Sequence, residues 1–208
     1  MPEQQTRYGR STEIHGHEMS GRRLEELGTA ELGRLFPIVL SEYDPSWPEK
    51  FAYERQLIER VLGHDTILRC SHIGSTAVPG LVAKPTIDIL LEVREDADPD
   101  ELLRRFADMG YRYSPQPKNP APHMMFMKGY TPRGFAGQAY HVHVRYSGDW
   151  DEPRFRDFLI RHPETAGRYV TLKRRLKDAF EFDRDAYTRG KTGFIETVMQ
   201  AARADRDR

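Results

Sequence analysis

The stretch from His72 to Val93, HIGSTAVPGLVAKPTIDILLEV, constrains what this chain can fold into more than any other. Its apolar, β-branched run from Pro85 to Val93 predicts a buried strand with Asp88 in the middle. Burying a carboxylate costs several kcal/mol, roughly, unless a partner or a metal offsets it. Asp88 therefore reads as a ligand-facing group or as half of a structural salt bridge. Upstream, a strand expected over Thr66 to Ile73 runs into Gly74-Ser75-Thr76, where the missing Cβ lets the backbone approach a ligand closely. Amides in such a turn, with the Ser75 and Thr76 hydroxyls, suit phosphate oxygens. The same turn also serves chains that merely change direction. Lys84 then stands just before the Asp88 strand. A phosphate cradle, a cation and a carboxylate within one short span suit a metal-bound phosphorylated ligand.

Around this stretch the pattern alternates. Residues 1 to about 20 are polar and aperiodic, and hold a His15/His17 pair of the kind that can bind metal. Leu24, Leu27, Leu32 and Leu35 recur at helical spacing and predict an accessory helix ending near Phe36. Ile38-Val39-Leu40 reads as a short strand and Tyr43-Asp44-Pro45 as a turn. Ser46 then suits the N-cap of a helix with Pro48 in its first turn and Gly63 at its end. A helix is expected from Pro99 to Met109, a proline-rich loop from Tyr113 to Pro122, and strands over Met124 to Met127 and Ala139 to Tyr146. Helices are expected over Trp150 to Arg161, Pro163 to Phe180 and Ala186 to Ala202. The sum is an α+β layout: a mixed sheet with packed helices and a C-terminal helical segment. Residues 1–36 form an arm and accessory helix, and 37–204 the domain.

The long motif closely resembles the signature of the GrpB family, a group with a nucleotidyltransferase-like fold. The similarity extends over Tyr43-Asp44-Pro45-Ser46-Trp47, His141 to Val144, Phe155 to Leu159, Leu172-Lys173 and Tyr187 to Lys191, and so covers residues 38 to 202. The resemblance implies a nucleotidyltransferase-like protein, a transferase if active, that takes a nucleotide or other phosphorylated small molecule. It implies Gly74, Ser75 and Thr76 at the phosphates, Asp88 as a ligand of divalent Mg or Mn, and Lys84 as a catalytic cation. Arg156, Lys173, Tyr187 and Lys191 fall in family-like segments of the helical tail and are candidate ligand contacts, although most charges on such helices are solvated. Related transferases carry two acids one residue apart on the strand after the Gly-Ser turn. Here the second position is Leu90. Glu92 shares the face but lies ~13 Å along the strand from Asp88. Two-ion transfer is thereby put in doubt, and a binding module without catalysis becomes the alternative.

His141 and His143 alternate with two valines, so a strand there presents both imidazoles on one face. Imidazole suits zinc, iron, copper or nickel. A metal site built from Asp88 and His141 or His143, with His72 as a further candidate ligand, follows, as does the further alternative of a metal-dependent enzyme centred on this strand. Ordinary hydrogen-bonded core histidines are the competing reading.

Composition sets the remaining bounds. Lys plus Arg and Asp plus Glu number 32 each among 208 residues, so there is no strong nucleic-acid signal. No apolar run is long enough to cross a membrane, no secretory leader is evident, and the single cysteine, Cys70, cannot pair internally. A cytoplasmic protein is expected, with no signal of its oligomeric state.

Overall fold

In the computed structural model, residues 23–206 are described. The His15/His17 pair lies outside the described residues. Five strands form one mixed sheet in the order β1-β2-β5-β4-β3. They are β1 (Ile67–Ile73), β2 (Thr86–Val93), β3 (Arg112–Pro115), β4 (Met124–Thr131) and β5 (Gly134–Tyr146). β5 lies at the centre, parallel to β2 and antiparallel to β4, while β2 joins β1 and β4 joins β3 antiparallel. The architecture is α+β, as the alternating pattern implies.

One face of the sheet makes the main core. Ile87, Ile89, Leu91 and Val93 of β2 point the same way, with Val142 and Val144 of β5 and Met124 and Phe126 of β4. They bury against Trp47, Ile58 and Leu62 of α2 (Trp47–Leu62) and against Leu102 and Phe106 of α3 (Pro99–Asp108). Each fully buried large side chain contributes roughly 1.5–3 kcal/mol. Among the described residues that face holds one buried acid, Glu54, which accepts from Tyr111 Oη at 2.9 Å and from Lys128 Nζ at 2.8 Å. Being paired, it is structural.

The opposite face carries Thr86, Asp88, Leu90 and Glu92 of β2 beside Ala139, His141, His143 and Arg145 of β5. The C-terminal helices pack beside it. They are α4 (Asp151–Arg161), α5 (Pro163–Phe180), α6 (Arg184–Arg189) and α7 (Thr192–Arg206). Leu159 of α4 and Tyr169 of α5 bury with Val78 and Leu81 of the segment between β1 and β2. The Arg156 guanidinium donates to the His72 carbonyl at 2.6 Å, which ties α4 to β1.

Several local expectations need correction. The accessory helix is interrupted at Gly28, giving a 3-10 turn over Leu24–Glu26 and α1 (Thr29–Leu35), because Glu31 turns back to accept the Gly28 N–H at 2.9 Å. Ile38-Val39-Leu40 is extended but not a strand. Ile38 donates to the Glu181 carbonyl and buries against Leu176 and Tyr187, so helices rather than the sheet take it, and only Ser41 bridges Ala83. The segment expected to be loop from Tyr113 begins inside β3, an edge strand whose last residue, Pro115, costs the sheet no central hydrogen bond. The helix expected over Ala186 to Ala202 is two helices, and Lys191 sits at the break. Ser46 does precede α2, yet its hydroxyl donates to Asp44 at 2.6 Å rather than capping the helix.

Candidate functional site

The parallel register of β2 and β5 sets Asp88 opposite His141 and Leu90 opposite His143. All four side chains therefore share the face away from the main core. Asp88 Oδ1 lies 3.2 Å from His141 Nδ1 and 3.7 Å from His143 Nε2. One ligand atom from each of Asp88, His141 and His143 falls within 4.8 Å of the others, a group able to hold a metal ion. Burial pushes the Asp88 carboxyl up, but His141 and His143 beside it outweigh burial and hold it below the usual carboxylate range. Burial likewise pushes His141 down, against the pull of Asp88. The pair is thus an ionised carboxylate and a neutral imidazole, the protonation states that ligation requires.

Gly74 closes over this carboxylate. Its backbone sits at φ +71° and ψ −170°, a region essentially restricted to glycine, and a Cβ there would stand 2.5 Å from Asp88 Oδ2. The turn and the acid are thus in contact, as their proximity in sequence suggests. Ser75 follows, and its hydroxyl accepts from Lys173 Nζ of α5 at 3.2 Å.

Three lysines converge here. Lys173 is 2% exposed and also donates to the Val82 carbonyl. Lys84 and Lys191 lie over the buried Tyr187 ring, at 5.8 and 4.8 Å from its centroid. Burial pushes Lys84 down to about 8, helped by Arg184 and Lys191, and Lys173 down to about 7, helped by Lys191. Lys191 shifts the same way for the same reason. Among the described residues no carboxylate lies within ion-pair distance of Lys84, Lys173, Lys191 or Arg184. Asp88 alone acts on Lys84 and Lys191 from farther off.

Not every candidate joins this group. His72 pairs with Ile89, so its ring points to the helix-covered face, stacked on Phe51 with centroids 4.8 Å apart. Its Nε2 meets Thr76 Oγ1 at 3.0 Å, and burial pulls it down to about 4. The expectation of His72 as a metal ligand is therefore corrected by register. Thr76 is 1% exposed and donates to the Thr86 carbonyl, which leaves its hydroxyl engaged within the fold. Arg156 is held by the His72 carbonyl and Asp157. Tyr187 is buried beneath two ammonium groups, so it positions cations and offers no open ring face. Glu92 accepts from Arg69 and from the Gly148 N–H, a structural role well removed from Asp88 along the strand.

Tyr130 belongs to the site although the sequence reading passed over it. Its hydroxyl lies 2.7 Å from His141 Nε2, with the two rings stacked at 5.6 Å. Strict alternation along β4 would send Tyr130 to the side of Phe126 and Lys128, toward α2. A bulge between Lys128 and Tyr130 reverses that, and Gly129 (φ +89°) permits it, since a Cβ there would meet the Gln138 carbonyl at 2.7 Å. The lone glycine inside an apolar strand pattern was the available signal.

The whole arrangement sits within a segment that known proteins share. The sequence model of a family described as GrpB protein matches residues 37–201. The chain belongs to the GrpB family. A UPF0157 protein of Pseudomonas aeruginosa is 40% identical over 162 residues, which cover 77% of this chain and 66% of that protein. A UPF0157 protein of Halalkalibacterium halodurans is 34% identical over 185 residues, covering 86% and 92%. The crystal structure of the conserved protein GrpB from Enterococcus faecalis matches with a TM-score of 0.71 at 31% identity, covering 82% of this chain and 100% of that one. This GrpB-family chain has, among its described residues, no helix long and apolar enough to cross a membrane.

Proposed function

We propose that this GrpB-family chain binds a nucleotide or other phosphorylated small molecule in a metal-assisted cleft. Asp88, His141 and His143 would hold the ion, and Ser75, Lys84, Lys173 and Lys191 would face the phosphates. The observation that carries this reading is the imbalance of charge: Lys84 and Lys191 act on Asp88, Lys173 meets Ser75 beside it and Arg184 acts on both of the first two lysines, while the one acid among them is already bound to imidazole. Burying unpaired charge is costly, so an arrangement like this is relieved by an anionic ligand.

One carboxylate with two imidazoles fits a single zinc, manganese, iron or nickel ion better than a pair of magnesium ions, which prefer oxygen ligands. Leu90 is fully buried where related transferases carry their second acid, and it offers no ligand atom. When bound, the ion would neutralise charge and polarise a phosphoryl oxygen. The chain's own part is to orient the phosphates through Lys84 and Lys191, to hold Ser75 in place through Lys173, and to keep Gly74 clear of the ligand. The fully buried Leu90 favours a second reading, a binding module that does not turn its nucleotide over.

Thermal unfolding with ATP and Mn²⁺ or Zn²⁺ tests the proposal. Stabilisation that needs both components is expected, and pyrophosphate release measured alongside separates transferase from binding module. No stabilisation with any divalent ion or nucleotide removes the proposal.

Tyr130 supports the ion through His141. With Nε2 hydrogen-bonded to the phenol, Nδ1 is left as the ligand atom facing Asp88. Tyr130→Phe is expected to weaken metal affinity roughly 10–100-fold, measured by chelator competition, while leaving secondary structure intact.

The lysines make binding pH-dependent. Anions pair best with protonated amines, and Lys173 and Lys84 fall near 7 and 8 without ligand. Binding near pH 8 should therefore take up protons, and affinity should decline as pH rises through that window. Calorimetric titration of phosphate in buffers of different ionisation enthalpy reads the uptake; no buffer dependence would count against lysine pairing. The unliganded fold shows the companion effect. A lysine depressed from 10.5 to about 7 penalises the folded state fully below pH 7, and stability recovers as pH rises toward 10.5.

A further inference from the structure

A cavity of about 220 Å³ opens beside the metal-binding group without including it. Its walls are apolar: Pro37, Val39, Pro85 and Phe135, with Ala139 at the floor. Lys84 and Arg184 supply its only formal charges. Thr86 and Ala139 pair directly across β2 and β5, two residues before Asp88 and His141 and on the same face. The cavity therefore abuts the Asp88–His141 pair at a distance of ~6.6 Å along the strands.

Three features define its occupant. First, Lys84 has no hydrogen-bond acceptor among the described residues and only an aromatic ring beneath it. Arg184 donates to the Phe36 carbonyl at 3.0 Å and covers the Tyr130 ring, and no carboxylate lies within ion-pair distance of it among the described residues. Two cations at one side of an apolar hollow call for an anionic group. Second, Val39 and Phe135 are 46% and 44% exposed, so the apolar wall is open to an incoming organic body. Third, the volume is below the ~300–1,000 Å³ usual for drug-sized ligands, which suits a single ring or short chain and not a whole nucleotide.

We infer that this cavity is a second-ligand subsite of the cleft, taking a small organic anion whose apolar body rests on Val39 and Phe135 and whose carboxylate or phosphate meets Arg184, with the Lys84 ammonium bridging it to the phosphates of the cleft. Its role as the partner of a phosphorylated ligand rests on the function proposed above; its ability to bind such an anion does not. Held there, the anionic end would face the Asp88 side, where two ligands of one reaction, or a ligand and its regulator, can meet.

Calorimetric titration tests this with four probes on metal-free protein: phenyl phosphate, phenylacetate, the neutral 2-phenylethanol and inorganic phosphate. The expected result is that at least one aryl anion binds tenfold or more tightly than both 2-phenylethanol and inorganic phosphate. Comparing phenyl phosphate with phenylacetate then identifies the preferred head group. Arg184→Gln should weaken that binding at least fivefold. Val39→Trp, which fills an exposed wall and leaves the core alone, should do the same even if the arginine variant unfolds. Equal affinity for 2-phenylethanol, tighter binding of inorganic phosphate, or wild-type affinity in Val39→Trp would overturn the inference. A repeat with saturating ATP and Mn²⁺ decides between a separate subsite, where probe affinity persists, and an extension of the nucleotide site, where the probe is displaced and the inference fails. Probe binding in a protein that shows no binding of ATP with Mn²⁺ would instead sink the metal-cleft reading and leave the cavity's anion binding intact.

Discussion

Gly74→Ala should destabilise this protein by about 4 kcal/mol and close its candidate site at the same time. Two independent costs combine. Alanine at φ +71° and ψ −170° is forced into a region essentially reserved for glycine, at roughly 1–3 kcal/mol. The added methyl also stands 2.5 Å from Asp88 Oδ2 and 3.1 Å from Asp88 Cβ, and overpacking of this kind costs roughly 1–3 kcal/mol more. For a chain of this size that is a fall in Tm on the order of 10 °C. The strand cannot absorb the clash by shifting, because Ile87 and Ile89 on either side of Asp88 are fully buried against α2 and α3. The carboxylate must then rotate away from His141. Urea unfolding together with chelator-competition titration measures both effects, and a variant with wild-type stability and metal affinity contradicts this account of the turn.

Asp88→Asn carries the second large effect. The amide keeps the volume of the side chain but removes the one negative charge among Lys84, Lys173, Lys191 and Arg184. Metal affinity should fall by more than the roughly 10–100-fold expected for loss of an outer partner such as Tyr130. Stabilisation by ATP with the metal should vanish as well. Phosphate alone should still bind, since the lysines remain and have lost their only nearby competitor. That split, with metal binding lost and phosphate binding kept, is what distinguishes a ligand from a structural salt-bridge partner. If Asp88 served only the fold, the variant would lose stability and both affinities would follow unfolding together. Spectroscopic metal titration and phosphate calorimetry on the folded variant read the two arms separately.

Much of this was legible in local pattern. Alternation within β2 and β5 was sufficient to put Asp88 on one face of its strand and His141 with His143 on one face of theirs. The Gly-Ser turn before an acid-bearing apolar strand, together with the resemblance of its residues, pointed to the family. The α+β class followed from the order of periodic segments. Other features were hidden for identifiable reasons. His72 looked like a site residue because it is close in sequence to the turn, but its cross-strand partner is Ile89, and that register turns the ring to the other face. Tyr130 gave no signal, because strict alternation puts it on the core side and only the Gly129 bulge reverses that. Arg184 carried no signal at all, since its place depends on where α6 lands.

The sequence by itself determined what each short segment prefers: strand or helix, which residues alternate, where a glycine or proline stops an element. These preferences follow from backbone sterics and side-chain period, which act over a few residues. Only the tertiary structure decided that β5 would run parallel beside β2 in the register that matches Asp88 with His141, and that from the far end of the chain Lys173 would reach Ser75 and Lys191 would act on Asp88. Those pairings are chosen by the burial of whole faces and by the closure of long loops. Their free energy belongs to no single segment, so no single segment records them.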